Sequence, residues 1–135
     1  MKQVHNTFNL IGRLLVAALF LPAGLAKLTG FAGTVGYFSS LGIPAPSFAV
    51  VATVAVEIFG GLALLAGYQT RLVAIVMAIF TLVASVVGHA YWAAPAEQAF
   101  VAQLLFFKNM AVIGGLLVLA SAGAGDFSLD GKQES

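Results

Sequence analysis

The stretch SFAVVATVAVEIFGGLALLAG, residues 47–67, decides the fold, because only one of its twenty-one side chains, Glu57, is charged. A helix that crosses the hydrocarbon core of a bilayer needs about 20 mostly apolar residues. The stretch has that length and composition, and the Gly-Tyr-Gln-Thr of residues 67–70 is typical of a tight turn. It therefore predicts a transmembrane helix that ends at this turn.

The rest of the chain has the same character. Of its 135 residues 61% are hydrophobic and 8% are charged, whereas a soluble domain has about 25% charged residues. Three further apolar stretches, residues 8–28, 71–90 and 99–120, are long enough to span a membrane. Between the first two spans, Phe31, Val35, Phe38 and Leu41 recur at helical spacing, which predicts a short helix in the membrane interface. We expect a single all-α domain, residues 1–135, folded as an integral membrane four-helix bundle in contact with the lipid bilayer.

Residue counts exclude several kinds of chemistry. With no Cys there is no disulfide, no thiolate metal site and no thiol relay, and with only two His we expect no metal site ligated by the protein. No Lys/Arg cluster is present that could neutralise a run of phosphates, so we expect no nucleic-acid partner. None of these counts argues against a bound organic cofactor.

The first span has a second interpretation as a secretory signal, since a small-x-small triplet, Gly-Leu-Ala, occupies residues 24–26. Its length favours a span that stays in the membrane. Four spans place both termini on one side of the membrane. Lys2, Arg71 and Lys132 flank that side, so the positive-inside rule predicts that both termini are cytoplasmic.

Three ionisable side chains fall inside the predicted spans. Glu57 and Lys108 each lie roughly 14 Å below the same boundary, so they have matching depth and opposite sign. Arg13 lies about 8 Å from the other boundary and shares one helical stripe with Lys27. A charge near the bilayer centre costs at least about 2.5–3.5 kcal/mol, so each needs a partner or a role. Glu57 and Lys108 form either a structural ion pair or part of a substrate or proton site, and both interpretations stay open.

Small and polar residues line the same faces. Gly60 and Gly61 beside Glu57, and Gly115 beside Lys108, predict close helix approach next to each charge. A further polar stripe in the third span consists of Thr81, Ser85, Gly88 and His89. We expect its hydroxyl groups to bond between helices. The histidine is either a satisfied interfacial residue or a group that exchanges protons or contacts a quinone.

Several motifs occur together in one order along the chain. They are AGLAKLTGFAGT at residues 23–34, LGIP at 41–44, Glu57 with the glycine pair 60–61, TR at 70–71, GH at 88–89 with YW at 91–92, and FKN at 107–109. This set resembles the DoxX family of small bacterial membrane proteins. The family's Gly-Pro-Gly before the final Ser-x-Asp is replaced here by Gly-Ala-Gly at residues 123–125, whereas Ser-Leu-Asp stands at 128–130.

The resemblance implies a four-helix, multi-pass protein of the bacterial inner membrane. It also implies a link to redox chemistry, because the family is named after the membrane part of a quinone-reducing sulfur oxidoreductase, and some relatives are linked to catechol or quinone stress and to thiol-redox partners. The family's motifs include the same residues that the predicted positions in the membrane had indicated. They are Arg13, Lys27, Glu57, Arg71, His89, Lys108 and Asn109.

Our first hypothesis is the membrane component of a quinone-linked oxidoreductase or quinone-stress system, whose polar bundle core binds a quinone. The candidate catalytic residues are Glu57, Lys108 and His89, and the candidate cofactor-binding residues are Arg13, Lys27, Asn109 and Trp92. Electrons would come from a soluble redox protein or pass between bound molecules, because the chain has no Cys. The alternatives are a small-molecule transporter or exporter, working as a homo-oligomer, and a non-catalytic membrane anchor or assembly subunit.

Overall fold

The computed structural model describes residues 1–134 and contains helices joined by short connections, with no strand in that range. The helices are α1 (Lys2–Thr29), α2 (Phe31–Ser40), α3 (Pro46–Ala66), α4 (Thr70–Gly88), α5 (Ala96–Ala122) and α6 (Leu129–Glu134), with a 3₁₀ turn at Tyr91–Ala93. Four of them, α1, α3, α4 and α5, are long and apolar enough to cross a membrane. The all-α class and the four spans are therefore confirmed.

The helices differ from the sequence prediction mainly at their ends. The first span begins at Lys2 rather than near residue 8, and the last runs from Ala96 to Ala122. Both extensions are polar or mixed segments that continue the helical hydrogen bonding. A prediction of spans from hydropathy omits them because they are not apolar. The short helix between the first two spans is present as α2. The orientation of the bundle in the membrane stays a prediction.

Local sequence explains the hairpin between α3 and α4. Pro46 occupies the first turn of α3, where its missing N–H is not needed. Gly67 ends this helix with φ 70°, a left-handed conformation that favours glycine. Asp130 then accepts hydrogen bonds at 2.8 Å from the backbone N–H groups of both Gln69 and Thr70. A residue of the C-terminal segment thus caps the start of α4.

The helices pack as two pairs. Helix α1 lies along α3, α4 lies along α5, and the pairs meet mainly through α3 and α4. The buried core lies towards the end where both termini meet, which we call the terminal end; the opposite end, with α2 and the 3₁₀ turn, is the loop end. The core consists of Phe20, Leu64, Ala74, Met77, Ala78, Leu116 and Leu119. Only Leu116 and Leu119 of α5 are buried, so this helix has little buried contact near the loop end.

Glycines set the close approach of α1 to α3. A Cβ on Gly24 would lie 2.8 Å from Cγ1 of Ile58 and 3.0 Å from Cβ of Glu57. A Cβ on Gly61 would lie 2.8 Å from the side chain of Leu21. The predicted close approach beside Glu57 is therefore confirmed. The prediction for Gly115 is wrong, because no atom lies within 4 Å of a Cβ built there.

A buried arginine ties the terminal end together. Arg13 is fully buried, and Nη1 donates to the carbonyl of Leu64 at 3.0 Å, while Nη2 donates to that of Phe127 at 2.5 Å. Its Nε donates to Oδ1 of Asn9 at 2.9 Å. The Asn9 amide in turn donates to the carbonyl of Gly123 at 2.6 Å. One side chain thus joins α1, the end of α3 and the segment that follows α5.

We expect Gly24→Val to destabilise the fold, because the added side chain overlaps Ile58 and a tightly packed interface relaxes little. The expected loss in the free energy of unfolding is about 1–3 kcal/mol, measured by denaturation in one detergent. Gly12→Val, in the same helix but with nothing within 4 Å of its Cβ, is the matched control. Equal losses in the two variants would contradict this packing.

We expect Arg13→Met to be more damaging than a change at any exposed cation. It removes the donor to the carbonyl of Phe127 and one of the two donors to that of Leu64, and an unsatisfied buried group costs about 1–3 kcal/mol. Arg13→Lys should not restore stability, since one ammonium cannot reproduce a planar fork of donors. Lys2→Met is the control, because Lys2 forms an exposed ion pair with Asp126. Thermal denaturation of the four proteins side by side measures the effect, and an Arg13→Lys variant as stable as the parent would refute it.

Candidate functional site

A cavity of about 580 Å³ opens in the half of the bundle nearer the loop end. Its walls come from α1 to α5, and they are mainly apolar, with side chains such as Phe20, Phe38, Val56 and Phe80. It forms there because α5 packs tightly only near the terminal end. Its polar lining residues include Lys27, Tyr37, Thr53, Glu57, Thr81, His89, Lys108 and Asn109.

An ion pair stands in the cavity wall. Nζ of Lys27 lies 2.9 Å from Oε1 of Glu57, in side chains that are 30% and 8% exposed. This oxygen is buried, and the approach of the ammonium is electrostatic rather than aligned as a hydrogen bond. Gly24 explains the contact, since its missing side chain lets α1 approach α3 at Glu57 one turn before Lys27. The pair therefore depends on the α1–α3 packing.

The sequence paired Glu57 with a different partner. No carboxylate of the described residues lies within 4 Å of Lys108, so the expected Glu57–Lys108 ion pair is not formed. Both residues nevertheless line the same cavity. Depth says nothing about which helices touch, however, and α3 packs against α1 and α4 rather than extensively against α5. The ion pair expected from sequence is thus corrected to Lys27–Glu57.

The remaining residues of the α5 motif lie near this pair. Lys108 and Asn109 line the cavity, with Lys108 exposed and Asn109 half-buried. His89, directly after α4, also lines it and lies within electrostatic range of both Lys108 and Lys27. Five of the seven candidate residues from the sequence therefore meet at one cavity.

Two candidate residues lie elsewhere. Arg13 is at the terminal end, and its donors are bound to backbone carbonyls and Asn9, so it has a structural role outside the cavity. Trp92 is 58% exposed and does not line the cavity. Its ring packs edge to face with Tyr91 and Phe106, at centroid distances of 5.2 and 5.4 Å. Neither residue lines the cavity, so neither is part of the site that we take as the candidate.

The hydroxyl groups of α4 also differ from expectation. Thr81 and Ser85 donate to the carbonyls of Met77 and Thr81 in their own helix, each at 2.7 Å. The expected bonds between helices are wrong, since an intrahelical acceptor was nearer. Sequence reasoning missed the wall that α2 provides through Tyr37 and Phe38, with Leu41 directly after the helix. The helical spacing of its apolar residues was the available signal, but it indicated the membrane interface rather than a cavity.

A second pocket, of about 380 Å³, lies at the terminal end between the α3–α4 turn and the C-terminal segment. Its charged groups are already occupied. Arg71 donates to the carbonyls of Ala120 and Ser121, at the end of α5, and Asp130 caps α4. We therefore take the larger cavity as the candidate site. Among the side chains of residues 1–132, no three His, Asp or Glu groups lie together so that they could hold a metal ion.

The composition of the cavity limits the chemistry that it could perform. Apolar walls accept an aromatic or aliphatic body, and a few polar groups at one part of a site orient a ligand. Lys108 and Asn109 offer hydrogen-bond donors, and Glu57 offers a carboxylate that could accept or release a proton. The side chains contain no electron carrier of the thiol type. The site is thus suited to binding and proton exchange.

Comparison with known proteins places the chain in a family. The sequence model of DoxX matches residues 8–90, which include α1 to α4 and the lining residues Lys27, Glu57 and His89. The chain belongs to the DoxX family. Among the DoxX-type relatives, inner membrane protein YqjF of Escherichia coli strain K12 is 38% identical over 96% of this chain and 95% of its own length. Inner membrane protein YphA of the same strain is 36% identical over 90% of this chain and 86% of its own.

A more distant relative has a name that refers to chemistry. Putative oxidoreductase CatD of Bacillus subtilis strain 168 is 33% identical over 64% of this chain and 63% of its own length. No solved structure matches. Both Escherichia coli relatives are named as inner membrane proteins, and the four apolar helices of this chain fit multi-pass insertion.

A double-mutant cycle separates the observed ion pair from the expected one. Lys27→Met and Glu57→Gln should each destabilise the protein, and the double variant should recover part of the loss, because neither charge is then buried alone. We expect a coupling free energy of about 1–3 kcal/mol from unfolding in one detergent. The matched cycle with Lys108→Met and Glu57→Gln should give a clearly smaller value. The reverse order would place the partner of Glu57 on α5.

Proposed function

We propose that this protein binds a quinone or a similar small aromatic molecule in its intramembrane cavity, as the membrane component of a redox or quinone-stress system. The observation that carries the proposal is the Lys27–Glu57 ion pair in the wall of a largely apolar cavity, with Lys108, Asn109 and His89 nearby. Such a site combines apolar walls for a ring with donors for its carbonyl oxygens.

Proton exchange would be the contribution of the chain. Reduction of a quinone to a quinol takes two electrons and two protons. Glu57 and Lys27 stand at the cavity as a proton-exchanging pair, and Lys108 and Asn109 would donate hydrogen bonds to the ring oxygens. The two electrons come, in this proposal, from a soluble redox partner or from a second bound molecule. The name of the relative CatD supports a redox role for the family without fixing the reaction here.

The volume of the cavity supports a small ligand. About 580 Å³ lies within the roughly 300–1,000 Å³ of typical small-molecule sites. A transport route would need passage to both faces of the membrane, whereas this cavity lies towards the loop end and the core closes the terminal end. Binding is therefore favoured over transport through one copy of the chain.

We expect the purified protein in phosphatidylcholine nanodiscs to bind a short-chain ubiquinone, detected by extraction and by native mass spectrometry. Glu57→Gln should weaken the affinity about tenfold, which corresponds to loss of one charge-assisted interaction. Glu97→Gln, an acid on the exposed first turn of α5, is the matched control and should bind as the parent does. No binding by the parent, or equal binding by all three proteins, would refute the proposal.

A further inference from the structure

The charges that line the cavity do not balance. Two ammonium groups, Lys27 and Lys108, and a single carboxylate, Glu57, face the same space. Glu57 is committed to Lys27 at 2.9 Å, and its side chain is almost fully buried there. Among the side chains of residues 1–132, no carboxylate lies within 4 Å of Lys108. The cavity wall therefore carries one positive charge that no acidic side chain of the described chain neutralises.

The position of Lys108 makes this charge costly. It lies about 18 Å along the helix from Ala96 and about 21 Å from Ala122, so it is near the middle of α5. Both distances exceed the length of a lysine side chain, so the ammonium of Lys108 cannot reach either end of the helix. Lysines nearer the boundary can extend their ammonium group into the interface. An ionisable side chain at that depth needs a partner. Such side chains usually belong to a substrate or ion pathway, or they serve as the counter-ion of a bound ligand.

The neighbours of Lys108 are those of an anion site rather than of a cation site. Asn109 offers an amide that can donate hydrogen bonds, and it lines the same cavity. His89 lies within electrostatic range of both Lys108 and Lys27. No acidic residue of α2, α4 or α5 lines the cavity. The rest of the lining is apolar and includes the aromatic rings of Tyr37, Phe38 and Phe80.

We propose that the cavity takes a singly charged anion with an apolar, ring-sized body, and that its oxyanion lies against Lys108. An ionised hydroxyquinone or a catechol monoanion has this chemistry. This inference rests on the proposed function, because it treats the cavity as a ligand site. It adds the charge of the ligand and names Lys108 as the residue that selects for that charge. A bound monoanion would pair Lys108 and bring the charge of the cavity to zero.

Two ligands that differ mainly in charge test the inference. Lawsone is a hydroxynaphthoquinone that is ionised at neutral pH, and its methyl ether has the same ring system without a charge. Equilibrium dialysis would measure the binding of each to the full chain in phosphatidylcholine nanodiscs, with empty nanodiscs subtracted. We expect lawsone to bind at least about tenfold more tightly than the ether, as for one charge-assisted contact.

Variants assign the preference to one side chain. In Lys108→Met the preference for lawsone over its ether should fall to about unity, because the ammonium that pairs with the oxyanion is removed, whereas Lys108→Arg should keep the preference. Lys2→Met, which removes an exposed ammonium outside the cavity, should behave as the parent does. Binding of the ether in Lys108→Met also shows that this variant is folded.

The failures are distinguishable. Equal affinity of the parent for lawsone and its ether would overturn the anion inference and leave the proposed function standing. Binding of neither would overturn both. Oleate is the third probe, because a fatty acid shares the monoanionic head and apolar body. If oleate displaces labelled lawsone at a lower concentration than unlabelled lawsone does, the inference of a ring-sized ligand is wrong. The inference of an anion bound at Lys108 would then still hold.

Discussion

The hydrocarbon of the bilayer offers no hydrogen bonds, so each polar group of this chain within the membrane needs a partner in the protein or in a bound ligand. Backbone groups are satisfied inside the four spanning helices, which leaves a few side chains to be accommodated. They separate into two sets at opposite ends of the bundle. Arg13 at the terminal end is bonded to backbone carbonyls, whereas Lys27, Glu57, Lys108 and Asn109 meet at the cavity.

The two sets depend on each other through packing. At the terminal end the C-terminal segment closes the structure, because Phe127 accepts from Arg13 and Asp130 caps α4. Leu116 and Leu119 hold α5 there, and the same helix is free of the core near the loop end. A bundle that is fixed tightly at one end can keep a cavity at the other, which a uniformly packed bundle could not.

The cavity connects the fold to the function that we propose. Its walls suit an apolar ring, and its charged groups suit oxygen atoms and protons, but the chain brings no thiol to carry electrons. The chain belongs to the DoxX family, and its relatives are named as inner membrane proteins and, in one case, as a putative oxidoreductase, while a redox partner is part of our proposal. We infer that the uncompensated Lys108 decides which ligands the site prefers.

The sequence by itself determined the class of the protein. Apolar length set the four spans, the spacing of Phe31, Val35 and Phe38 set α2, and charge at membrane depth singled out Glu57 and Lys108, because these properties follow from the bilayer alone. Only the tertiary structure decided that Glu57 pairs with Lys27 and that Arg13 stays outside the cavity. The position of a charged residue in a span predicts its depth in the membrane. Its partner depends on which helices approach closely, and the close approach of α1 to α3 depends on packing at positions such as Gly24.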